Sequence, residues 1–190
     1  AQDTGNGGTH GGELFASRSH IQTTKIQQHT YDTISSMHTE PLHFVARILH
    51  IRKVRFVLVT CYFGTSEGFS ERNHTILHQI LQLKNILNLP MLIIGDFNIK
   101  SKDFTKSGWL EKLKVTLSKP NMKSSSKFSK DRVIDFILIS YEIRLMIQDF
   151  IPIYSCPWSP HFGLLIKIAD KPSIIRGQVL CVPRSLPLKE

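Results

Sequence analysis

The run Met91-Leu92-Ile93-Ile94-Gly95-Asp96-Phe97-Asn98 constrains this chain more than any other stretch. It is short and rich in isoleucine, and it ends abruptly in a glycine, a carboxylate and a carboxamide. Leu92 to Ile94 therefore reads as a strand buried on both faces, at the centre of a layered α/β fold. If the extended path continues, alternation puts Asp96 and Asn98 on one side and turns Phe97 into the packing. Gly95, lacking a side chain, would let a bulky ligand approach the backbone. An acid and an amide at a strand's carboxyl end suit a phosphate ester, one managing protons or a metal and the other donating hydrogen bonds. A polar turn closing a core strand is the competing reading of the same residues.

The neighbouring segments fit that frame. Leu42 to Leu49 and Val54 to Tyr62 are β-branched and aromatic-rich, with a turn around Ile51-Arg52-Lys53, and read as an antiparallel hairpin. Ile76, Ile80, Leu83 and Leu87, with Leu77 and Leu81 beside them, repeat at helical spacing until Pro90 stops the helix. Strand, helix and buried strand make a crossover unit. After Asn98 the reading is a loop, a short helix from Gly108 to Leu113 and an exposed basic loop over 118–131. A strand from Val133 to Ser140 carries Asp135 inside an apolar run. Ile143 to Phe150 fits a helical turn or a strand, and Leu164 to Ile168 a last strand. Near the front, Glu13 to Ser17 reads as a short strand after Gly11-Gly12, and Ser19 to Glu40 as irregular or weakly extended. The expected boundaries are a flexible segment over 1–10, one domain over 11–168, and a basic, proline-containing tail or linker over 169–190.

At 190 residues and 41% hydrophobic content, the chain can bury one real core. Its 24 Lys and Arg against 15 Asp and Glu give a net charge of +9, which favours a polyanionic partner, nucleic acid before an anionic membrane surface. Cys61, Cys156 and Cys181 are distant and odd in number, so a reducing compartment is expected: nucleus or cytoplasm, without secretion. The longest apolar runs are strand length, too short to span a bilayer, and no signal-peptide pattern opens the sequence. Lys123, Lys127 and Lys130 suit a DNA backbone or simply a solvated loop. Trp109 suits core packing, whereas Trp158, between Pro157 and Ser159, is more open to substrate. His74 and His78 have the spacing of a zinc pair, but the Glu of HExxH and a third ligand are missing.

Three segments, in order, resemble the endonuclease/exonuclease/phosphatase superfamily: Gly95-Asp96-Phe97-Asn98, then Ile134-Asp135-Phe136-Ile137-Leu138-Ile139-Ser140, then Ser159-Pro160-His161-Phe162. Leu58-Val59-Thr60-Cys61-Tyr62 resembles the family strand that ends in a phosphate-contacting tyrosine, and Gly11-Gly12-Glu13-Leu14 its "GGVAI"-like strand. The resemblance covers roughly residues 11–168, and ordered motifs are far more specific than any one alone. It implies a four-layered α/β sandwich, two packed mixed sheets flanked by helices, here incomplete at the N-terminus. Combined with the basic charge, it points toward abasic-site endonucleases and the endonuclease domains of non-LTR retrotransposons. It implies a Mg2+ or Mn2+ cofactor, a DNA substrate, and a monomer or part of a larger polyprotein.

Carried over by position, the resemblance implies five catalytic roles. Asp96 would hold the metal and orient or deprotonate the attacking water, or serve the leaving oxygen. Asn98 and Tyr62 would hydrogen-bond the scissile phosphate. Asp135 would hold the imidazole of His161 and raise its basicity, and His161 would stabilise charge developing on the phosphoryl oxygens.

Two departures stand out. The last motif usually reads Ser-Asp-His, and Pro160 stands here in place of the acid. The family's main metal-binding Glu belongs to an upstream Gln-Glu strand, which Gln2-Asp3-Thr4 echoes with Asp3, although only seven residues separate Asp3 from Gly11. Weakened metal binding and impaired cleavage are therefore expected. A non-catalytic nucleic-acid-binding remnant, and a phosphoinositide or sphingolipid phosphoesterase, remain as alternatives.

Overall fold

A computed structural model of the chain describes residues 2–3 and 9–10 as backbone, and 15–39, 41–128 and 130–169 in full. The Gly11–Leu14 segment and the tail beyond 169 lie outside the described residues; of the strand expected at Glu13 to Ser17, Phe15, Ala16 and Ser17 are described and are not in a strand. Among the described residues, ten strands alternate with four helices. β1 (Gln2–Asp3), β2 (Thr9–His10), β3 (Thr23–Lys25), α1 (Gln28–Ser35), β4 (Phe44–Ile51) and β5 (Val54–Tyr62) come first. They are followed by α2 (Glu71–Leu87), β6 (Met91–Asp96), α3 (Ser101–Lys106), α4 (Trp109–Leu113), β7 (Val115–Ser118) and β8 (Asp135–Ser140). A 3-10 turn, Arg144–Met146, leads into β9 (Ile147–Ile153) and β10 (Gly163–Ile168).

The architecture is mixed α/β: a six-stranded sheet in the order β3-β4-β5-β6-β8-β7, a β9–β10 pair, and the short β1–β2 pair. β4 and β5 form the expected antiparallel hairpin, with Ile51 opposite Val54. β5 and β6 pair in parallel through the α2 crossover, and β6 pairs antiparallel with β8. Ser70 caps α2 by accepting from the Asn73 N–H, and Asn88 ends it in the left-handed conformation at φ 48°.

Both faces of the large sheet are buried, which is why β6 and β8 read as continuous apolar runs. Val57, Val59, Met91, Ile93, Phe136 and Leu138 face the helices, meeting Ile34, Ile76, Ile80, Phe104 and Trp109. Phe56, Leu92, Ile137 and Ile139 face the other way, toward Ile147 and Phe150 of β9 and Ile166 and Ile168 of β10. Trp109 is core, as its apolar surroundings imply.

Several local expectations need correction. Residues 19–40 hold strand β3 and helix α1, whose buried residues are Thr30 and Ile34, one of them a threonine, so that it carries little apolar periodicity. The loop expected after Asn98 contains α3, anchored by a single buried Phe104. β7 is a four-residue edge strand, too short to signal itself. Gly95 is also explained differently: a Cβ there would strike the Cys61 carbonyl oxygen and sit 2.9 Å from Cys61 Sγ. The neighbouring strand demands the glycine.

Candidate active site

Side-chain alternation places three polar groups on one face and one edge of the sheet. Tyr62 ends β5, Asp96 ends β6, and Asp135 begins antiparallel β8, so all three emerge at the same edge. Tyr62 and Asp96 are register partners, and so are Asp96 and Asp135. Each lies in alternation with residues that face β9–β10. The site therefore opens at the mouth between the two sheets.

His161 comes from the other side of that mouth. Ser126 bridges to His161, the Lys127 N–H donates to Pro160 O at 3.0 Å, and the Phe162 N–H donates to Ser125 O at 3.0 Å. The segment leading into β8 thus carries the 160–162 segment over the edge. His161 Nδ1 lies 2.8 Å from Asp135 Oδ2, and its Nε2 lies 3.6 Å from Asp96 Oδ2. One ligand atom from each of Asp96, Asp135 and His161 lies within 4.8 Å of the others.

Electrostatics follow from that crowding. Burial first, and the Asp135 charge second, push the Asp96 carboxyl up to about 6, against the pull of the Asn98 N–H, His161 and Arg132. His161 is raised, chiefly by its bond to Asp135, although burial opposes the shift. Both groups are thus shifted upward, the carboxyl chiefly by burial and the imidazole chiefly by its bond to Asp135.

Asn98 departs from the extended path. It sits at φ 49°, where its own N–H donates to Asp96 Oδ1 at 3.0 Å, and one amide hydrogen goes to Phe63 O at 2.8 Å. The turn follows because Asn tolerates the left-handed region. Phe97 does turn inward, stacked on Phe136 with centroids 4.2 Å apart. The Tyr62 hydroxyl is hydrogen-bonded to Thr65 Oγ1 at 2.9 Å. Asp3 lies in β1, opposite Thr9, with its side chain outside the described residues. Lys123, Lys127 and Lys130 are exposed on the basic loop, and Trp158 is exposed beside the site's last loop.

Sequence reasoning missed three positioning residues. The buried Ser125 hydroxyl accepts from the N–H groups of both Ile134 and Asp135 at 2.9 Å, fixing where β8 begins. Arg132 donates to the Asn98 carbonyl at 3.1 Å. Buried Asn73 accepts from the Gly64 N–H and donates to Gly68 O, holding the loop that follows Tyr62. Serine in a polar loop and asparagine at a helix start carry no distinguishing pattern; only their burial reveals them.

No protein-family model matches the sequence, and no curated protein does. Solved structures do. The endonuclease domain of TRAS1, a telomere-specific non-LTR retrotransposon, is similar at TM-score 0.57 and 13% identity, over 80% of this chain and 70% of that one. The AP endonuclease LMAP from Leishmania major follows at 0.53 and 11%, over 67% and 54%. The human Nocturnin catalytic domain gives 0.51 and 17%, over 65% and 51%. This chain thus spans about half the length of the last two structures. At such identities the likeness speaks for architecture alone, and that architecture is the endonuclease/exonuclease/phosphatase fold.

Proposed function

We propose that this chain is a divalent-metal-dependent phosphodiester hydrolase acting on DNA, of the retroelement or abasic-site endonuclease type. The observation that carries the reading is the convergence of Asp96, Asp135 and His161 within 4.8 Å at the edge where the two sheets meet. A net charge of +9 suits a polyanionic substrate, and two of the similar structures are endonucleases.

The donor set fits a hard cation, because carboxylate oxygens are its preferred ligands. Asp96 and Asp135 would hold Mg2+ or Mn2+, and the ion when bound would supply Lewis-acid polarisation of the phosphate. The remaining work belongs to the chain. Asp96 orients the attacking water and takes its proton. Asp135 fixes His161 through Nδ1, so that Nε2 faces the phosphoryl oxygens and stabilises their developing charge. Asn98 offers its second amide hydrogen, and Tyr62 its hydroxyl once turned from Thr65, to the same phosphate. Lys123, Lys127, Lys130 and Trp158 belong to the flanking DNA contacts. The complete domain on this reading is a four-layered sandwich, working as a monomer or within a polyprotein in nucleus or cytoplasm.

Pro160 occupies a position where the resemblance calls for an acid, so turnover is expected to be slow. Nicking of supercoiled plasmid tests this. Metal-dependent nicking that Asp96→Ala abolishes and Pro160→Asp raises about ten-fold supports the reading. Tight, salt-sensitive DNA binding with no nicking by either wild type or Pro160→Asp would leave a non-catalytic binding protein. Phosphate release from a phosphoinositide or sphingolipid ester, with DNA untouched, would point to the head-group phosphoesterases.

A further inference from the structure

A cleft of about 620 Å³ opens beside the site, within the ~300–1,000 Å³ of ligand pockets. Its walls combine Lys123 and Lys127 with the rings of Tyr154 and Phe162. The two rings meet edge to face, with centroids 4.9 Å apart and planes at 76°. Tyr154 is 57% exposed, so the core does not account for it. Both lysines are exposed, and among the described residues neither is matched by an acid. None of the described residues lining the cleft is acidic. The cleft cannot be remote from the chemistry: Phe162 follows His161 directly, and the Lys127 N–H is bonded to Pro160 O.

We infer that this cleft is a stacking subsite for one unpaired base of the DNA flanking the cleaved bond. Its base lies against Tyr154 and Phe162, and the adjoining phosphates lie on Lys123 and Lys127. The inference rests on the DNA reading above. An aromatic corner bordered by unmatched lysines is how proteins grip single strands, since every base has a π-face and every linkage a charge. A base inside a duplex has its faces already covered, so the subsite selects unpaired or frayed DNA. An anionic head group would use the lysines and leave the rings idle.

Fluorescence anisotropy in EDTA separates these possibilities with two probes: a labelled oligothymidylate, and a strand of equal length and charge built from abasic units. Wild type is expected to prefer the strand with bases. Tyr154→Ala should weaken binding of oligothymidylate about ten-fold and erase the preference, while Tyr154→Phe keeps it. Retained binding of the abasic strand shows that the Ala variant is folded. The Lys123→Ala/Lys127→Ala double variant should reduce the salt slope by about 1.4, two single-strand contacts at ~0.7 each. Equal, salt-sensitive binding of both strands by wild type overturns the stacking subsite and leaves the DNA reading standing. No salt-sensitive binding of either strand also overturns the subsite, and the DNA reading falls with it only if plasmid nicking fails as well.

Discussion

Asp96 and Asp135 face one another as register partners across the β6–β8 ladder, at the sheet edge that His161 covers. Opposed like charges on neighbouring strands are unfavourable. A chain selected only for stability would not place two carboxylates there.

The sign of that cost is measurable. Asp96 is raised from its ordinary 3.8 to about 6, so the folded protein holds the proton more tightly than the unfolded chain. Its ionisation therefore subtracts stability as pH rises between those values, and the loss is complete above about 6. His161, also raised, adds stability below its ordinary 6.5 that is lost as pH passes its folded value. Asp96→Asn should raise the stability of metal-free protein at pH 8 by about 1–3 kcal/mol, since each ten-fold change in proton affinity is worth ~1.4 kcal/mol. Urea unfolding in EDTA across pH 4–8 checks it; an unchanged or lowered midpoint in the variant contradicts it.

The imidazole should report the same geometry. Removing the Asp135 charge takes away the largest cause of the upward shift of His161 and leaves the opposing burial in place. Asp135→Asn should lower the pKa of His161 in an NMR titration of its ring carbons. A value unmoved by the substitution would mean that the 2.8 Å contact does not govern the ring.

Much of this site was legible because β6 and β8 are buried on both faces. Their apolar runs stand out, and a carboxylate at the end of such a run is conspicuous. Asp96 and Asp135 were approachable for that reason, whereas His161, on a loop before β10, stood out only through the resemblance of the Ser159-Pro160-His161-Phe162 segment. The rest depends on three-dimensional context. Asn98 leaves the strand path through a left-handed turn that alternation does not foresee. Helix α1 carries its stripe through a threonine, and Gly95 answers to Cys61 on the adjacent strand rather than to a ligand. Tyr154 looks like any loop tyrosine until the fold sets it against Phe162.

Ser125 should prove a positioning residue. Its buried hydroxyl serves two backbone donors at the start of β8, and Ser125→Ala leaves both unmatched. The expected loss is about 1–3 kcal/mol, with a drop in cleavage as Asp135 loses its register. Chemical denaturation and plasmid nicking check the two effects; Ser125→Thr, if accommodated, should recover more of both than Ala does.

Gly95→Ala should be costly for a different reason. The new Cβ meets backbone of β5, which cannot swing away as a side chain could. About 1–3 kcal/mol of destabilisation is expected. A variant as stable as wild type by urea unfolding would mean that β5 and β6 are less closely paired than the structure has them.

The central claim is that Asp96 serves chemistry at the expense of stability, and single-turnover cleavage of end-labelled duplex DNA at saturating magnesium tests it most directly. Asp96→Asn keeps the shape and removes the charge, so its protein should be at least as stable as wild type yet cleave at least about 1,000-fold more slowly, as expected of a group acting in the transition state. Cleavage within ten-fold of wild type would contradict the account.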